Sequence, residues 1–241
     1  MRYIVISTIL FLTVQQLVLG KTPNFSSKNL TIIPSYERYE FEGINSKGTE
    51  IPVVFEYKAV DINGKNPKWI IKGKLKLNKT LLNETYTVDL KNLYIAALKR
   101  SQKFDRGENK TTIEYDVDVS TKHKDEFIIS TVQGLMYLLR TFPFESEVKE
   151  ITVRAPQQEK GKLNFKVKNK GLKPFESKKF GTIDVYHLEL SLKVPAIGGL
   201  IPKLNFYIRN DARKTLIALK GKMLMTNTEL DVELVEYESK L

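Results

Sequence analysis

The chain of 241 residues contains no cysteine. Neither a disulfide nor a thiolate can therefore contribute to its stability or its chemistry. This excludes cysteine proteases, thiol–disulfide oxidoreductases and zinc–thiolate sites. A chain of this length can bury enough apolar surface to fold without disulfide bonds, so we expect an ordinary hydrophobic core.

Residues that commonly carry catalysis are also scarce. The two histidines are His123 and His187, and no spacing gathers histidine and carboxylate into a metal set. There is no serine on a glycine-flanked elbow and no glycine-rich phosphate loop. Glu114, Asp116 and Asp118 alternate along one strand face, as is usual for an exposed surface. We predict no catalytic residue, no metal and no cofactor, and keep a hydrolase with an unrecognised site as an alternative.

The one long apolar run lies near the start of the sequence. Arg2 precedes the apolar stretch 3–12, and Gln15 and Gln16 follow it. This order of charge, apolar core and polar exit is typical of a secretory signal peptide. A membrane-spanning helix needs roughly 20 apolar residues, more than this run provides. We predict a cleaved signal peptide over residues 1–20 and no transmembrane segment after cleavage.

Positive charge is in excess, with 39 Lys and Arg against 28 Asp and Glu, a formal net charge of +11. An excess of this sign favours anionic partners. For an exported protein these are lipid head groups or envelope polymers, and we expect no nucleic acid partner. We predict localisation to the periplasm or surface of a bacterium. Sequons that would be glycosylated on a eukaryotic route, and that we expect to be unmodified here, occur at Asn24, Asn29, Asn78, Asn83 and Asn109.

Alternation of apolar and polar residues with period two dominates the sequence. In the stretch 69–77, Trp69, Ile71 and Leu75 alternate with lysines, which predicts a half-buried strand. Further strands are predicted at 52–60, 113–119, 148–154, 162–168, 183–194, 204–209, 215–222 and 228–237. The apolar phase changes within 183–194, and a bulge near Tyr186 or His187 would account for it. Short turns between the strands indicate antiparallel neighbours.

Two segments have helical spacing of apolar residues. The segment 131–142 places Leu135, Met136 and Leu139 at that spacing and ends before Pro143. So apolar a helix is expected to pack across the sheet or inside it. The segment 89–100 is interpreted as a helix, with a strand as the alternative.

These patterns predict a mainly β fold with one curved antiparallel sheet that forms a barrel or half-barrel. One or two short helices pack on it or in it. No linker divides the chain. We predict an N-terminal arm over 21–35 and a single β domain over 36–241.

The C-terminal half, residues 125–237, resembles the domain of unknown function 3108 family of exported bacterial envelope proteins. The resemblance rests on a short helix leading to Tyr137 and Arg140, and on a late strand pair joined by a turn with Asp211 and Arg213. The chain departs from the family pattern at Thr131 and Gly134. The resemblance implies a β-barrel or half-barrel in the cell envelope and implies no activity.

A cluster of lysines is a candidate for anion binding. The segment 160–179 carries eight lysines, and the candidate anion-binding residues are Lys162, Lys166, Lys168 and Lys170. The alternative interpretation is an ordinary solvent-exposed face of a strand, paired across the sheet with acidic neighbours.

An uncharged connection, residues 194–202, is the second unusual segment. Loops normally face water, so we expect this one to line a hydrophobic cavity or to close the core. The sequence predicts a non-enzymatic envelope protein that binds a hydrophobic or lipid-like ligand. An alternative is a structural or interaction module whose basic face binds an anionic envelope polymer or a partner protein. The candidate ligand-binding residues are Leu135, Met136, Leu139, Ile197, Leu200 and Ile201.

Overall fold

The structure is a computed structural model. It describes residues 25–44, 48, 50, 52–77, 80–91, 95–106, 109–117, 132–156, 162–193, 203–222 and 229–241. The predicted signal peptide, His123 and the whole uncharged connection lie outside these ranges. Across the described ranges, no α-helix has the length and apolar character needed to span a bilayer.

The described residues form twelve strands and one α-helix. The strands are β1 Tyr36–Ile44, β2 Val53–Val60, β3 Lys68–Leu77, β4 Thr80–Asp89, β5 Ile95–Arg106, β6 Asn109–Val117, β7 Glu150–Pro156, β8 Lys162–Ser177, β9 Gly181–Leu192, β10 Leu204–Arg209, β11 Leu216–Lys222 and β12 Glu229–Lys240. The α-helix, α1, is Val132–Arg140, and a single 3₁₀ turn spans Ser27–Asn29.

All twelve strands belong to one sheet, in the order β6-β5-β4-β3-β2-β1-β12-β11-β10-β9-β8-β7. The sheet consists of two antiparallel meanders, β1 to β6 and β7 to β12. They are joined by the antiparallel pairing of the first strand with the last. Strands β6 and β7 are its two edges, so hydrogen bonds between these strands do not close it. The predicted mainly β, antiparallel fold with a short internal helix is confirmed.

The sheet curves around α1. The guanidinium of Arg140 lies 5.8 Å from the ring of Trp69 on β3, and Phe144 stacks at 4.2 Å on Tyr186 of β9. In a flat sheet these two strands would be about 29 Å apart, since neighbouring strands are spaced by about 4.8 Å. A helix is only about 10 Å wide. Strands on both sides of the β1–β12 junction therefore bend towards the helix.

Alternation along the strands gives the sheet an apolar concave face. In β1 the inward positions are Glu37, Tyr39 and Phe41, and the side chains between them face outward. The neighbouring strands add further inward residues, each at most 2 % exposed: Phe55, Tyr57, Trp69, Ile71, Tyr86, Val88, Leu188, Leu204, Phe206 and Ile208. These side chains and α1 form the core.

The predicted helix at 89–100 is wrong, and its alternative, a strand, is correct from Ile95 onward. Strand β4 ends at Asp89, and β5 pairs with β4 on one side and β6 on the other. The helical spacing is a local property of the sequence. Backbone pairing on both edges of the segment outweighs it.

The predicted bulge near Tyr186 or His187 is also wrong. Strand β9 pairs with β10 without a shift, and the irregularity lies in β8 between Asn169 and Leu172. The apolar phase changes because β9 is buried on both faces. Tyr186 points to the core, whereas Val185 is fully buried on the outer face.

The β8–β9 hairpin covers part of this outer face. At its tip, the backbone N–H of Lys178 donates to the carboxylate of Glu233, and Lys179 Nζ donates to the carbonyl of Val235 at 2.8 Å. Both acceptors belong to β12. Phe175 packs against Tyr207 of β10, with ring centroids 4.9 Å apart. The hairpin thus forms a small second core on the outer face.

Residues 25–33, here called the strap, cross one end of the curved sheet. Ser27 Oγ donates to the carbonyl of Leu90 at 2.6 Å, and Asn29 Nδ2 donates to that of Thr141 at 2.7 Å. Further along, the N–H of Ile32 donates to the carbonyl of Ala212 at 3.3 Å. The strap links the β4–β5 connection, the end of α1 and the β10–β11 turn.

Candidate functional site

Helix α1 is enclosed by the sheet. Its residues Leu135 to Arg140 are all at most 3 % exposed. The helix ends where Pro143 follows, and Thr141 Oγ1 donates to the carbonyl of Leu138 at 2.7 Å. The candidate ligand-binding residues Leu135, Met136 and Leu139 therefore lie in the interior, already covered by protein.

A buried ion pair joins the end of α1 to β1. Arg140 Nη1 donates to Glu37 Oε2 at 2.7 Å, and Nη2 donates to Oε1 at 3.1 Å. Each side chain is 1 % exposed. Arg140 Nε and Nη2 also donate to the carbonyl oxygen of Arg213, at 3.2 Å and 2.7 Å. One side chain thereby connects the helix, the first strand and the β10–β11 turn.

Aromatic side chains surround this pair. The guanidinium carbon of Arg140 lies 5.8 Å, 5.5 Å and 5.8 Å from the ring centroids of Tyr39, Tyr57 and Trp69. At such distances the rings attract the cation. The hydroxyls of Tyr39 and Tyr237 donate to Glu37 Oε1, at 3.0 Å and 2.7 Å. Both carboxylate oxygens of Glu37 therefore have hydrogen-bond donors.

The electrostatics of the cluster keep it charged. Burial acts to lower the pKa of Arg140, but Glu37, Tyr39 and Tyr57 together outweigh burial and raise it. Burial raises the pKa of Tyr39 and of Tyr57, against the effect of Arg140. The arginine stays protonated and the phenols stay neutral across the physiological range. The cluster therefore holds the end of α1 against β1 through buried, charge-assisted hydrogen bonds.

Three of the four residues singled out by the family resemblance meet at this place. Arg140 binds the carbonyl of Arg213. Asp211 caps the same turn, accepting from the N–H groups of Arg213 and Thr215 at 3.2 Å and 3.1 Å. Tyr137 lies one helical turn before Arg140 and is 1 % exposed. The turn and the helix end therefore form one connected unit.

Sequence reasoning missed Glu37, the partner of Arg140. The signal was present, because Glu37 stands in phase with Tyr39 and Phe41 in an alternating stretch. A carboxylate at a core position of a strand indicates a buried cationic partner. No strand is predicted over 36–44 from the sequence, so the alternation that points Glu37 to the core has no predicted sheet to which it applies.

The candidate anion-binding lysines lie on β8. Lys166 Nζ forms an ion pair with Glu150 at 2.9 Å. Lys168 and Lys170 are exposed, and Lys168 is paired in register with Glu150 on β7 and Glu189 on β9. Lys162 is the first residue of the strand. The lysines share one strand but have acidic neighbours on both sides.

The candidate residues of the uncharged connection, Ile197, Leu200 and Ile201, lie outside the described residues. The connection runs between the last residue of β9, Leu192, and the first of β10, Leu204. Both are at the end of the sheet opposite the strap, because the strap adjoins the β10–β11 turn.

The described histidine, His187, is on the outer face. Its Nε2 lies 2.8 Å from Asn205 Oδ1, and its ring stacks on Tyr207 at 5.0 Å. Burial lowers the pKa of His187. Within the part of the chain that the structure describes, no three histidine or carboxylate side chains are grouped as metal ligands would be.

These features define a class of protein, an unclosed, curved antiparallel sheet around an internal helix. No family model and no curated protein matches the sequence. The resemblance to the domain of unknown function 3108 family thus stays a prediction.

Two solved structures resemble the chain at 9 % identity each. One is a beta-barrel-like protein of domain of unknown function DUF1849 from Brucella abortus, with a TM-score of 0.48 over 88 % of this chain and 100 % of that chain. The other is a candidate lipoprotein from Parabacteroides distasonis, with a TM-score of 0.34 over 91 % and 100 %. At these scores neither likeness informs the function of this chain.

Proposed function

We propose that the protein is an exported, non-enzymatic protein of the bacterial envelope that binds a hydrophobic or lipid-like ligand inside its curved sheet. The observation that supports this most directly is the concave face, which is aromatic and aliphatic and wraps around a helix. The sheet edges β6 and β7 are not paired with each other. An apolar interior in a sheet that is not closed is a form suited to an apolar ligand.

The two ends of the sheet differ, and this difference supports a position for the apolar part of the proposed ligand. The strap, the end of α1 and the β10–β11 turn are hydrogen-bonded together at one end. At the other end the inward side chains are apolar, among them Phe41, Val53, Leu190 and Leu230. We expect the apolar part of the ligand to lie towards this end, where β9 ends and β10 begins. The uncharged connection with Ile197, Leu200 and Ile201 joins these two strands.

Native mass spectrometry of protein purified from the envelope of its own host tests this function. The expected result is a co-purifying lipid that is lost when Leu200 and Ile201 are both replaced by Asp, with the fold retained by circular dichroism. A matched pair of Asp substitutions at the exposed residues Val60 and Ile62 should leave the lipid bound. Protein that carries no lipid in any preparation would contradict the proposal.

The second candidate function is binding of an anionic envelope polymer or lipid surface by the lysines of β8. It is favoured by one observation, that Lys168 and Lys170 are exposed and lie within 4 Å of no carboxylate among the described residues. Each lysine near an anionic membrane contributes about 1 kcal/mol to binding.

Charge reversal distinguishes this candidate from the first. Replacing Lys166, Lys168 and Lys170 by Glu should abolish binding to anionic vesicles at low salt and leave a co-purifying lipid unchanged. Unaltered vesicle binding by this variant would exclude the β8 lysines.

A further inference from the structure

Lys214 is a buried lysine that the helix cluster does not use. It lies in the β10–β11 turn, directly after Arg213, and is 8 % exposed. Its φ is +51°, a left-handed conformation that is uncommon for a residue with a side chain. Such a conformation is usual at one position of a β-hairpin loop, and here it sets the direction in which the Lys214 side chain leaves the turn.

The ammonium group of Lys214 sits against two aromatic rings. Nζ lies 5.5 Å from the ring centroid of Phe144 and 4.8 Å from that of Tyr186. These rings stack on each other at 4.2 Å. The rings attract the cation but accept no hydrogen bond from it.

The carboxylate nearest to this charge is that of Glu145, whose side chain is exposed. Glu145 Oε1 is 3.6 Å from Lys214 Nζ, and the Glu145 side chain is 81 % exposed. Among the described residues no other carboxylate lies within 4 Å of this nitrogen. The hydroxyl of Tyr186 donates to the same Glu145 oxygen at 2.8 Å. Two donors, Lys214 Nζ and the Tyr186 hydroxyl, therefore converge on one carboxylate whose side chain is otherwise exposed to solvent.

An apolar surface adjoins these donors. Leu172 of β8 is paired in register with Tyr186, so their side chains lie side by side on the same face of the sheet. Leu172 is 49 % exposed, which makes it one of the most exposed large apolar residues described. Exposed apolar surface beside a buried cation suits a ligand with both an apolar and an anionic part.

We propose that Lys214 Nζ and the Tyr186 hydroxyl bind the oxyanion of an acidic amphiphile, a carboxylate or phosphate head group, whose apolar chain lies against Leu172. Glu145 occupies the oxyanion position when no ligand is bound. The inference rests on the proposed function, since it names the head-group class of a hydrophobic ligand. It adds that the head group is anchored at the strap end of the sheet.

Isothermal titration calorimetry with laurate, lauryl phosphate and lauryl alcohol tests the site. The wild-type protein should bind laurate and lauryl phosphate more tightly than lauryl alcohol. Lys214→Met should weaken binding of both acids about tenfold, as expected for loss of one charge-assisted hydrogen bond, and leave the alcohol unchanged. The matched control Lys149→Met removes an exposed lysine near β7 and should change none of the three affinities.

Glu145→Gln is the second variant, because it alters an exposed side chain and does not threaten folding. It removes the competing carboxylate and should raise the affinity for laurate severalfold without affecting lauryl alcohol. If neither variant changes laurate affinity, the head-group site is wrong. If none of the three amphiphiles binds, the proposed function itself fails. If inorganic phosphate alone binds with the same dependence on Lys214, the site takes a free anion, and the amphiphile is excluded.

Discussion

Arg140 and Glu37 carry full charges in the core, where a pair of apolar side chains of similar volume is often at least as stable. A buried arginine adds orientation, because its hydrogen bonds form only in particular directions. Its planar guanidinium has five donors in fixed positions, and here they serve Glu37 and the carbonyl of Arg213 together. A shift of α1 along its axis would break one of these contacts. We infer that the pair fixes the position of the helix in the sheet.

A double-mutant cycle measures this coupling. Arg140→Met and Glu37→Gln should each lower the free energy of unfolding by about 3–5 kcal/mol, because each leaves buried polar groups unpaired. The double variant should be less destabilised than the sum of the two. Urea unfolding monitored by the fluorescence of Trp69 provides the measurement. Strict additivity would show that the two side chains are not coupled.

His187 gives the protein a defined response to acid. Burial lowers its pKa, Lys173 and Lys170 act in the same direction, and Asn205 and Glu189 oppose them. A histidine in the unfolded chain has a pKa of about 6.5. Below that pH the unfolded state binds more protons than the folded state, so stability falls as the pH decreases towards the folded pKa.

Replacing His187 by Gln should therefore flatten the pH dependence of the unfolding free energy between neutral pH and pH values below about 6.5. The measurement is urea unfolding at a series of pH values. His123→Gln is the comparison variant, and we expect it to keep the wild-type slope because His123 stands in a charged stretch, residues 122–125, that is typical of a solvated turn. An unchanged slope in the His187 variant would contradict the assignment.

At the scale of single elements, the β8–β9 hairpin explains why the apolar pattern of β9 is wrongly interpreted as a bulge in that strand. Period-two patterns assume one buried face, and β9 has two, with Tyr186 on one and Val185 on the other. The tip of the hairpin contacts β12 through Lys178 and Glu233. The sequence pattern does not predict this contact, since the two residues are far apart in the chain.

Glu233→Ala should lower the free energy of unfolding by about 1–3 kcal/mol, because the partly buried N–H of Lys178 then loses a charged acceptor. It should also speed amide exchange at the hairpin tip. Glu229→Ala, at an exposed position of the same strand, should change neither quantity. Equal effects of the two substitutions would mean that the hairpin is not held through Glu233.

The elements that the sequence predicted well share a physical property. Strands β3 and β10, and helix α1, bury one face or are enclosed entirely, so their local pattern and their final environment agree. In 89–100 the spacing of apolar residues predicts a helix, but backbone pairing with β4 and β6 makes the segment from Ile95 a strand. The site was harder still, because Arg140 and Glu37 are 103 residues apart in the chain. Their contact depends on the pairing of the first strand with the last.

At the scale of the whole molecule, the β1–β12 pairing joins the two meanders into one sheet. The strands approach closely at Gly43, where an added Cβ would lie 1.9 Å from the carbonyl oxygen of Asp231. Only glycine allows this approach without movement of the backbone.

Gly43→Ala should therefore destabilise the protein by about 2–3 kcal/mol, at the upper end of ordinary point substitutions. The neighbouring change Ile44→Ala, at a side chain that is 57 % exposed, should cost much less. Chemical denaturation followed by circular dichroism compares the two. A Gly43 variant as stable as the wild type would show that the junction can widen freely.

The place of β12 in the sheet also sets the order in which the molecule can be completed. Of the twelve described strands, the one furthest along the sequence, β12 at Glu229–Lys240, lies in the middle of the sheet, between β1 and β11. A nascent chain therefore cannot join its two meanders until β12 has been synthesised and can pair with β1. Such late completion keeps an emerging chain from locking into its final form early. It also means that a polypeptide cut short before Glu229 leaves two further strand edges, those of β1 and β11, open to pairing with another chain.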